Sequence, residues 1–428
     1  MGPDGRTDNT TPDVADIVWD AIIRDGRVGW HQSGTSAYLY RPDQLLVDVR
    51  YEAQLADALE KEGARRKRCH SREGRILERL GLRRYVLPGR NDARAALDRV
   101  REAVKGNEPA AAAVTLTHVM VGAPVFKFGP GDLPRDAGPG CVEPERSARP
   151  GTGKGVRVSI LDTGFVATST HRHPLLDHDY ADDGDDVDTL YDEARHQIRS
   201  VFGGHGTFIA GIVRQLAPDT ELNPEVTLDD IGLVDDVELA LDLLRERAAH
   251  IVNLSLAGPS EDNRPPQALA RAFAELRKTS DAVFVAAAGN DFEEAERAGR
   301  PEQKMWPAAF GGEKGFDHVV GVAAVQDRDG QLAAAPFTNR GPWVRACAYG
   351  MHRRSTYLDG TLSLPPASLA FPNATATWSG TSFATPRVAG VIAATMTAHD
   401  PPLSPRDALA EVLRNASPGP AGCGVFVD

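Results

Sequence analysis

The chain is poor in several features that would assign it elsewhere. It has four cysteines in 428 residues. Cys69, Cys141, Cys347 and Cys423 lie far apart, which excludes the close pairs of a zinc site or a dithiol redox motif and predicts reduced thiols. No uninterrupted apolar run stands near the start, where "MGPDGRTDNTTPDVADIVWDAIIRDGRVGW" scatters acids. Neither a secretory leader nor a membrane span is expected, and the chain reads as cytoplasmic. Basic residues are outnumbered, 48 Lys and Arg against 60 Asp and Glu, for a formal charge of −12. That balance excludes a general nucleic-acid binder, which needs surplus cations to neutralise phosphates. The one basic run, Arg65-Arg66-Lys67-Arg68, reads as a solvated loop, with a processing or docking site as the alternative.

What is present suffices for one large domain and a smaller one, since 41% of the residues are hydrophobic. Residues 131–155, "GDLPRDAGPGCVEPERSARPGTGKG", are dense in Gly, Pro and charge without hydrophobic period and read as an exposed linker. This divides the chain into an N-terminal domain over 1–130, a linker over 131–152 and a second domain over 153–428. In the first, "LLVDVR", "LRRYVLP" and "AAVTLTHVMV" predict strands, and "YEAQLADALEKEG" and "NDARAALDRVREAV" predict helices. With a weaker strand near residues 65–72, the order is β-α-β-β-α-β, a ferredoxin-like α+β pattern. In the second, "VRVSILD", "HIVNLSLA", "AVFVAAAGN" and "VVGVAAV" alternate with helical stretches such as "GTFIAGIVRQL", "VELALDLLRER" and "QALARAFAELRKT". That alternation predicts an α/β fold with a mostly parallel, doubly wound sheet. Chemistry in such sheets sits beyond the carboxyl ends of the strands, where Asp162 and Asn290 fall.

In "TWSGTSFATPRVAGVIAATMTAHDPP" a turn of small residues enters an apolar helix with Ser382 at its mouth. Taken alone, such a serine is an N-cap. Unpaired N–H groups and the helix dipole there also favour the negative charge that develops when a hydroxyl attacks a carbonyl. A serine nucleophile needs an oriented base. Among 12 histidines, His205 in "GGHGTFIAGIV" is flanked by glycines at a helix start on the same end of the sheet. His171, His173 and His178, in an acidic loop, are weaker candidates, and a structural role for His205 is the bland alternative. Asp162 in "VSILDTGF" admits three readings. An aspartic protease needs a second Asp-Thr/Ser-Gly loop, which this chain lacks; a homodimer could supply it, but the short β-rich chains that do so differ from this α/β pattern. A metal role finds no ligand spacing in the nearby "DHDYADDGDDVD", a solvated loop with an incidental calcium site as the alternative. The third reading has Asp162 orient His205.

Together "ILDTGF", "GHGTFIAG", "VAAAGN" and "SGTSFATPRVAG" make residues 153–400 resemble the subtilisin-like serine proteases, with "NLSLAGP" and "PFTNRGPWV" as further landmarks. The resemblance implies that Asp162 orients, His205 acts as general base and then acid, Ser382 forms the acyl-enzyme, and Asn290 helps stabilise the oxyanion. It implies that Ser255, Leu256 and Ala257 pair with an extended substrate and that Ala287, Ala288 and Gly289 form the opposite wall of the first specificity pocket. No cofactor is required for that chemistry, and a structural calcium is left open. Two residues depart from the family pattern: Phe208 replaces a second histidine, which should alter packing only, and Ala257 replaces a glycine, which should narrow the groove. The N-terminal domain resembles the prodomains that chaperone and inhibit these proteases. The expected partners are a peptide or protein substrate and the chain's own N-terminal domain, with no nucleic acid or membrane. The alternative is an autoinhibited or scaffold-type homologue that binds a dedicated partner or precursor peptide.

Overall fold

The structure, a computed structural model, describes residues 22–427 apart from 34–35, 68–71, 90–91, 123–132, 146–150, 167–172, 179–186, 298, 300–302 and 365–366. His171, Cys69, Arg68 and the middle of the acidic run therefore lie outside the described residues. The larger body is built on Arg157–Asp162, Ile251–Leu254, Val283–Ala287, Val319–Arg328 and Val344–Tyr349, paired side by side in parallel. These strands are apolar along most of their length because helices cover both faces of the sheet. Val283 and Val285 pack into one core with the helices His205–Leu216 and Thr381–Thr397. Phe284 and Ala286 pack into the other, with Asp236–Leu243 and Gln267–Thr279. The alternation is the two-residue period of a strand dividing its side chains between two layers.

One strand, Glu221–Val226, is absent from the sequence reading because "ELNPEV" carries a proline. Proline cannot donate to a ladder and is confined to sheet edges. The strand is an edge of the sheet among the described residues, pairing with Arg157–Asp162.

In the N-terminal region Val114–Gly122, Ser36–Asp48, Leu82–Val86 and Arg65–Arg66 form an antiparallel sheet in that order. The helices Glu52–Lys61 and Ala93–Ala103 bury Leu55, Leu59, Leu97 and Val100 against Leu45, Val47 and Leu116. The order is the ferredoxin-like one. Two details differ from the sequence reading. The first strand begins at Ser36, well before "LLVDVR", and forms a hairpin with Gly29–Ser33. The strand expected near 65–72 is only Arg65–Arg66, followed by the helix Arg72–Arg79. That helix has only Ile76 and Leu77 as apolar residues, too few for a visible helical period.

The stretch read as an exposed linker is partly docked. Arg135–Asp136 pairs antiparallel with Thr375–Trp378, Val142 is buried, and Glu145 meets the buried Arg387 at 2.5 Å. A sequence rich in Gly and Pro still carries backbone donors and acceptors, and here an exposed strand edge takes them. Cys141, Cys347 and Cys423 are unbonded, and burial pushes the Cys347 thiol up to about 12. Among the described residues no helix is long and apolar enough to cross a membrane.

Candidate active site

Asp162 is the last residue of its strand and fully buried. Its backbone carbonyl accepts the N–H groups of Thr227 (2.8 Å) and Leu228 (2.9 Å), which tie the strand end to the neighbouring edge. The carboxylate accepts from Thr163 N–H at 2.9 Å and meets His205 Nδ1 at 2.7 Å. His205 is the first residue of its helix, entered through Gly204 at φ +79. Gly206 lets the helix mouth touch the Asp162 loop, since a Cβ there would lie 2.0 Å from the Gly164 carbonyl oxygen. Both side chains of the Asp162–His205 pair are 0% exposed, so the contact is shielded from water and from competing partners. Trp378 stands edge-on to the imidazole and Phe383 tilts against it, each with ring centroids 5.5 Å away. Phe208, the departure from the family pattern, is buried in the same aromatic group, 5.7 Å from Trp378 and 4.6 Å from Phe383. The aromatic wall gives no motif of its own in the sequence, although Trp378 and Phe383 flank "SGTS".

Ser382 is the second residue of its helix, and Gly380 occupies the N-cap position, so the plain N-cap reading does not apply. Pro386 stands four residues on. It has no N–H to give the Ser382 carbonyl, and that carbonyl accepts the Ser255 hydroxyl at 2.9 Å instead. The Ser382 hydroxyl donates to the Ser255 carbonyl at 3.3 Å, while His205 Nε2 is buried with no hydrogen-bond partner. The structure thus joins Asp162 to His205 and Ser382 to Ser255, and it brings no hydrogen bond between His205 and Ser382. Such contacts in an unliganded site commonly tighten only when substrate is bound.

Asn290 lies just past Val283–Ala287. Its side-chain oxygen accepts from the backbone N–H and the hydroxyl of Thr381, both at 2.9 Å, which fixes the amide plane and turns its NH2 to the opposite side. Thr381 Oγ1 also accepts the Gly289 N–H at 3.1 Å. Gly289, Asn290 and Ala257 line a cavity whose other walls include Asp291, Gln303 and Met305. Trp30, Leu39, Val119 and Val121 of the N-terminal region close it. Ala287 and Ala288 do not line it; Ala288 pairs with Val322 and Asn339 behind the wall. Ala257 is buried beneath Val121 in a strand pair.

The N-terminal sheet continues into this cleft. Val119, Met120 and Val121 pair antiparallel with Asp235, Val234 and Leu233, while Val121 and Gly122 pair with Ala257 and Leu256 on the other side. Leu233–Asp235, the second wall, gives no distinct sequence signal because a three-residue strand is too short for a period. Arg101 forks onto Glu261 at 2.9 and 2.8 Å, Glu261 N–H donates to His118 Nε2 at 3.1 Å, and Arg41 meets the buried Asp235 at 3.1 Å.

Asp188 is a further buried carboxylate beside the pair. It accepts from Gly204 N–H at 2.7 Å and Leu190 N–H at 2.9 Å and touches Thr163 Oγ1 at 3.4 Å. Burial pushes this carboxyl up to about 7 against those N–H bonds, and the Asp162 charge adds to the rise. The folded state therefore holds a proton that the unfolded state has lost between the ordinary 3.8 and about 7. Stability falls as pH rises through that window and levels above it, by at most about 4 kcal/mol. Asp188→Asn should flatten the melting temperature between pH 4 and 7. Parallel pH curves for the two proteins would contradict this.

Among the described residues no group of three or more His, Cys, Asp or Glu side chains converges as metal ligands do. Residues 153–424 match the Subtilase family. The chain belongs to the subtilase family. Among its relatives, the thermostable alkaline protease of Halalkalibacterium halodurans is 30% identical over 252 residues, 56% of each chain. The intracellular serine protease of Paenibacillus polymyxa is 28% identical over 259 residues, 56% of this chain and 66% of that protein. Among solved structures, fervidolysin from Fervidobacterium pennivorans, a keratinolytic enzyme related to subtilisin, superposes with TM-score 0.58 at 18% identity over 91% of this chain and 60% of its own. The chain thus spans about half to two thirds of these relatives' lengths. The fervidolysin likeness covers the N-terminal region as well as the subtilase domain, and it bears on fold alone.

Proposed function

We propose that this subtilase is a serine endopeptidase that cleaves peptide bonds through an acyl-enzyme, with its N-terminal region as an intramolecular inhibitor. The observation that carries the reading is the sealed 2.7 Å contact of Asp162 with His205 at the sheet end where the Ser382 helix begins. In the first step the Ser382 hydroxyl turns from the Ser255 carbonyl to His205 Nε2, gives up its proton there, and its oxygen bonds to the substrate carbonyl carbon. The carbonyl oxygen becomes the oxyanion, met by the Ser382 N–H and the Asn290 NH2. Collapse of the intermediate breaks the C–N bond, and the leaving amine takes the proton from Nε2. Water then repeats the sequence on the acyl-enzyme. Asp162 holds Nδ1 protonated, so that Nε2 is the basic nitrogen, and offsets the imidazolium charge.

Substrate enters as an added strand between Leu233–Asp235 and Ser255–Ala257, a mode in which main-chain bonds supply affinity and side-chain pockets supply choice. The same slot holds Val119–Gly122, which is the argument for inhibition and for a zymogen activated when this strand leaves. A structural calcium plays no part in these steps. No observation favours a scaffold role.

Casein incubated with the purified protein, after the N-terminal strand has been loosened, should yield new termini at internal bonds. Casein that stays intact under those conditions would contradict the proposal. Asn290→Ala should lower kcat by about a hundred- to a thousandfold with KM little changed, the usual size for one lost oxyanion donor. An equal loss expressed in KM alone would remove Asn290 from that role.

A further inference from the structure

The strand lying in the cleft has one position closed to side chains, and that position carries Gly122. We propose that the cleft selects glycine at the residue immediately before the one whose carbonyl is attacked, and that Leu228 and Phe202 are the residues that enforce the choice. This inference rests on the peptidase reading and deepens it to a substrate class.

The register places the site. Val121 faces Ala257 and Gly122 faces Leu256, so the next position of a substrate strand in this register falls opposite Ser255. The Ser255 carbonyl is 3.3 Å from the Ser382 hydroxyl. The attacked carbonyl therefore belongs to the residue that follows the Gly122 position. The Gly122 N–H donates to the Gly232 carbonyl at 2.9 Å, which holds the backbone against the wall on that side.

A Cβ at Gly122 would lie 2.7 Å from Leu228 Cδ1 and 3.4 and 3.6 Å from two ring carbons of Phe202. Carbon atoms in contact ordinarily rest about 3.5–4.0 Å apart. Both walls are themselves buried. Leu228 is 3% exposed and its N–H is tied to the Asp162 carbonyl. Phe202 is 1% exposed and packs over Gly232, where a Cβ would meet its ring at 2.6 Å. Gly122 is not among the glycines with positive φ, so its backbone is open to any residue. The close approach of Leu228, not backbone conformation, is what favours glycine here. The closure is local: Val121 lines the cavity and Met120 is fully buried in the core, so the two preceding positions hold larger side chains.

The test uses the full chain. Hydrogen exchange of the segment Val114–Gly122 should be slow in the parent protein, at least about tenfold faster in Gly122→Val, and slowed again when Leu228→Ala is added, as expected for relief of overpacking. Exchange in Val319–Arg328 reports whether the larger body stays folded, and Gly122→Ala replaces Gly122→Val if it does not. Exchange unchanged by either substitution would overturn the inference. In the Gly122→Val protein, two peptides differing only in Gly or Ala at the selected position should differ in kcat/KM by about tenfold to a hundredfold, and Leu228→Ala should narrow the gap. Equal cleavage of both peptides overturns this inference alone. Cleavage of neither, with the N-terminal strand shown by exchange to be loose, overturns the peptidase reading and this inference with it.

Discussion

Ser382→Ala and His205→Ala should each lower peptide hydrolysis by about a millionfold, and the double variant should be no worse than either. The size is carried over from subtilisin, where members of the triad act as a unit and their losses do not add. The physical reason is that neither group works alone: the hydroxyl is not nucleophilic at neutral pH, and the imidazole has no other proton to take from the site. Asp162→Asn should lose about ten thousandfold with the fold intact, because an amide at the 2.7 Å contact favours the wrong imidazole tautomer. Steady-state assays on a cleavable peptide, with circular dichroism to check folding, decide the matter. If the three single variants lost less than tenfold, the relay would have no part in the reaction.

The second large effect comes from undocking the N-terminal region. Arg101 and Arg41 make the nearest ion pairs from it to Glu261 and Asp235 of the subtilase body, with Arg94 and Arg84 farther from the same carboxylates. Removing one partner of a desolvated, hydrogen-bonded ion pair costs about 2–5 kcal/mol. Reversing both charges, Arg101→Glu with Arg41→Glu, should therefore weaken docking by on the order of a thousandfold. A tethered strand competes at about millimolar effective concentration, so hydrolysis of an added peptide should rise at least about tenfold. Acid should act the same way. Burial lowers the His118 imidazole to about 4, so docking keeps it neutral, and stability of the docked state is lost as pH falls from 6.5 towards 4. Hydrolysis unchanged by the double reversal would contradict inhibition by this strand.

The parallel sheet and its order of elements were legible because buried strands read as apolar runs and the intervening helices carry their own period. Asp162, His205, Asn290 and Ser382 stand out as candidates because each sits in a short motif of small residues, which local sequence displays. What escaped depends on contacts between distant segments. Glu221–Val226 was hidden by Pro224, which only an edge position tolerates. Asp188 stands among exposed-looking acids, and nothing local says that it turns inward onto Gly204. Leu233–Asp235 is too short to show a period, and its pairing with Val119–Val121 joins residues more than a hundred positions apart. The resemblance implies Ala287, Ala288 and Gly289 together in the pocket wall, and of that trio Gly289 lines the cavity. Leu228 and Phe202 look like ordinary core residues, and their bearing on Gly122 appears only when three segments meet.

The most direct measurement is covalent. A fluorophosphonate reacts with a serine only where a base removes its proton and donors stabilise the phosphoryl oxygen, the same demands that peptide hydrolysis makes. A single adduct, mapped by mass spectrometry to Ser382, should form, faster when Arg101 and Arg41 are reversed and not at all in His205→Ala. An adduct on another residue, or labelling that persists in Ser382→Ala, would contradict it.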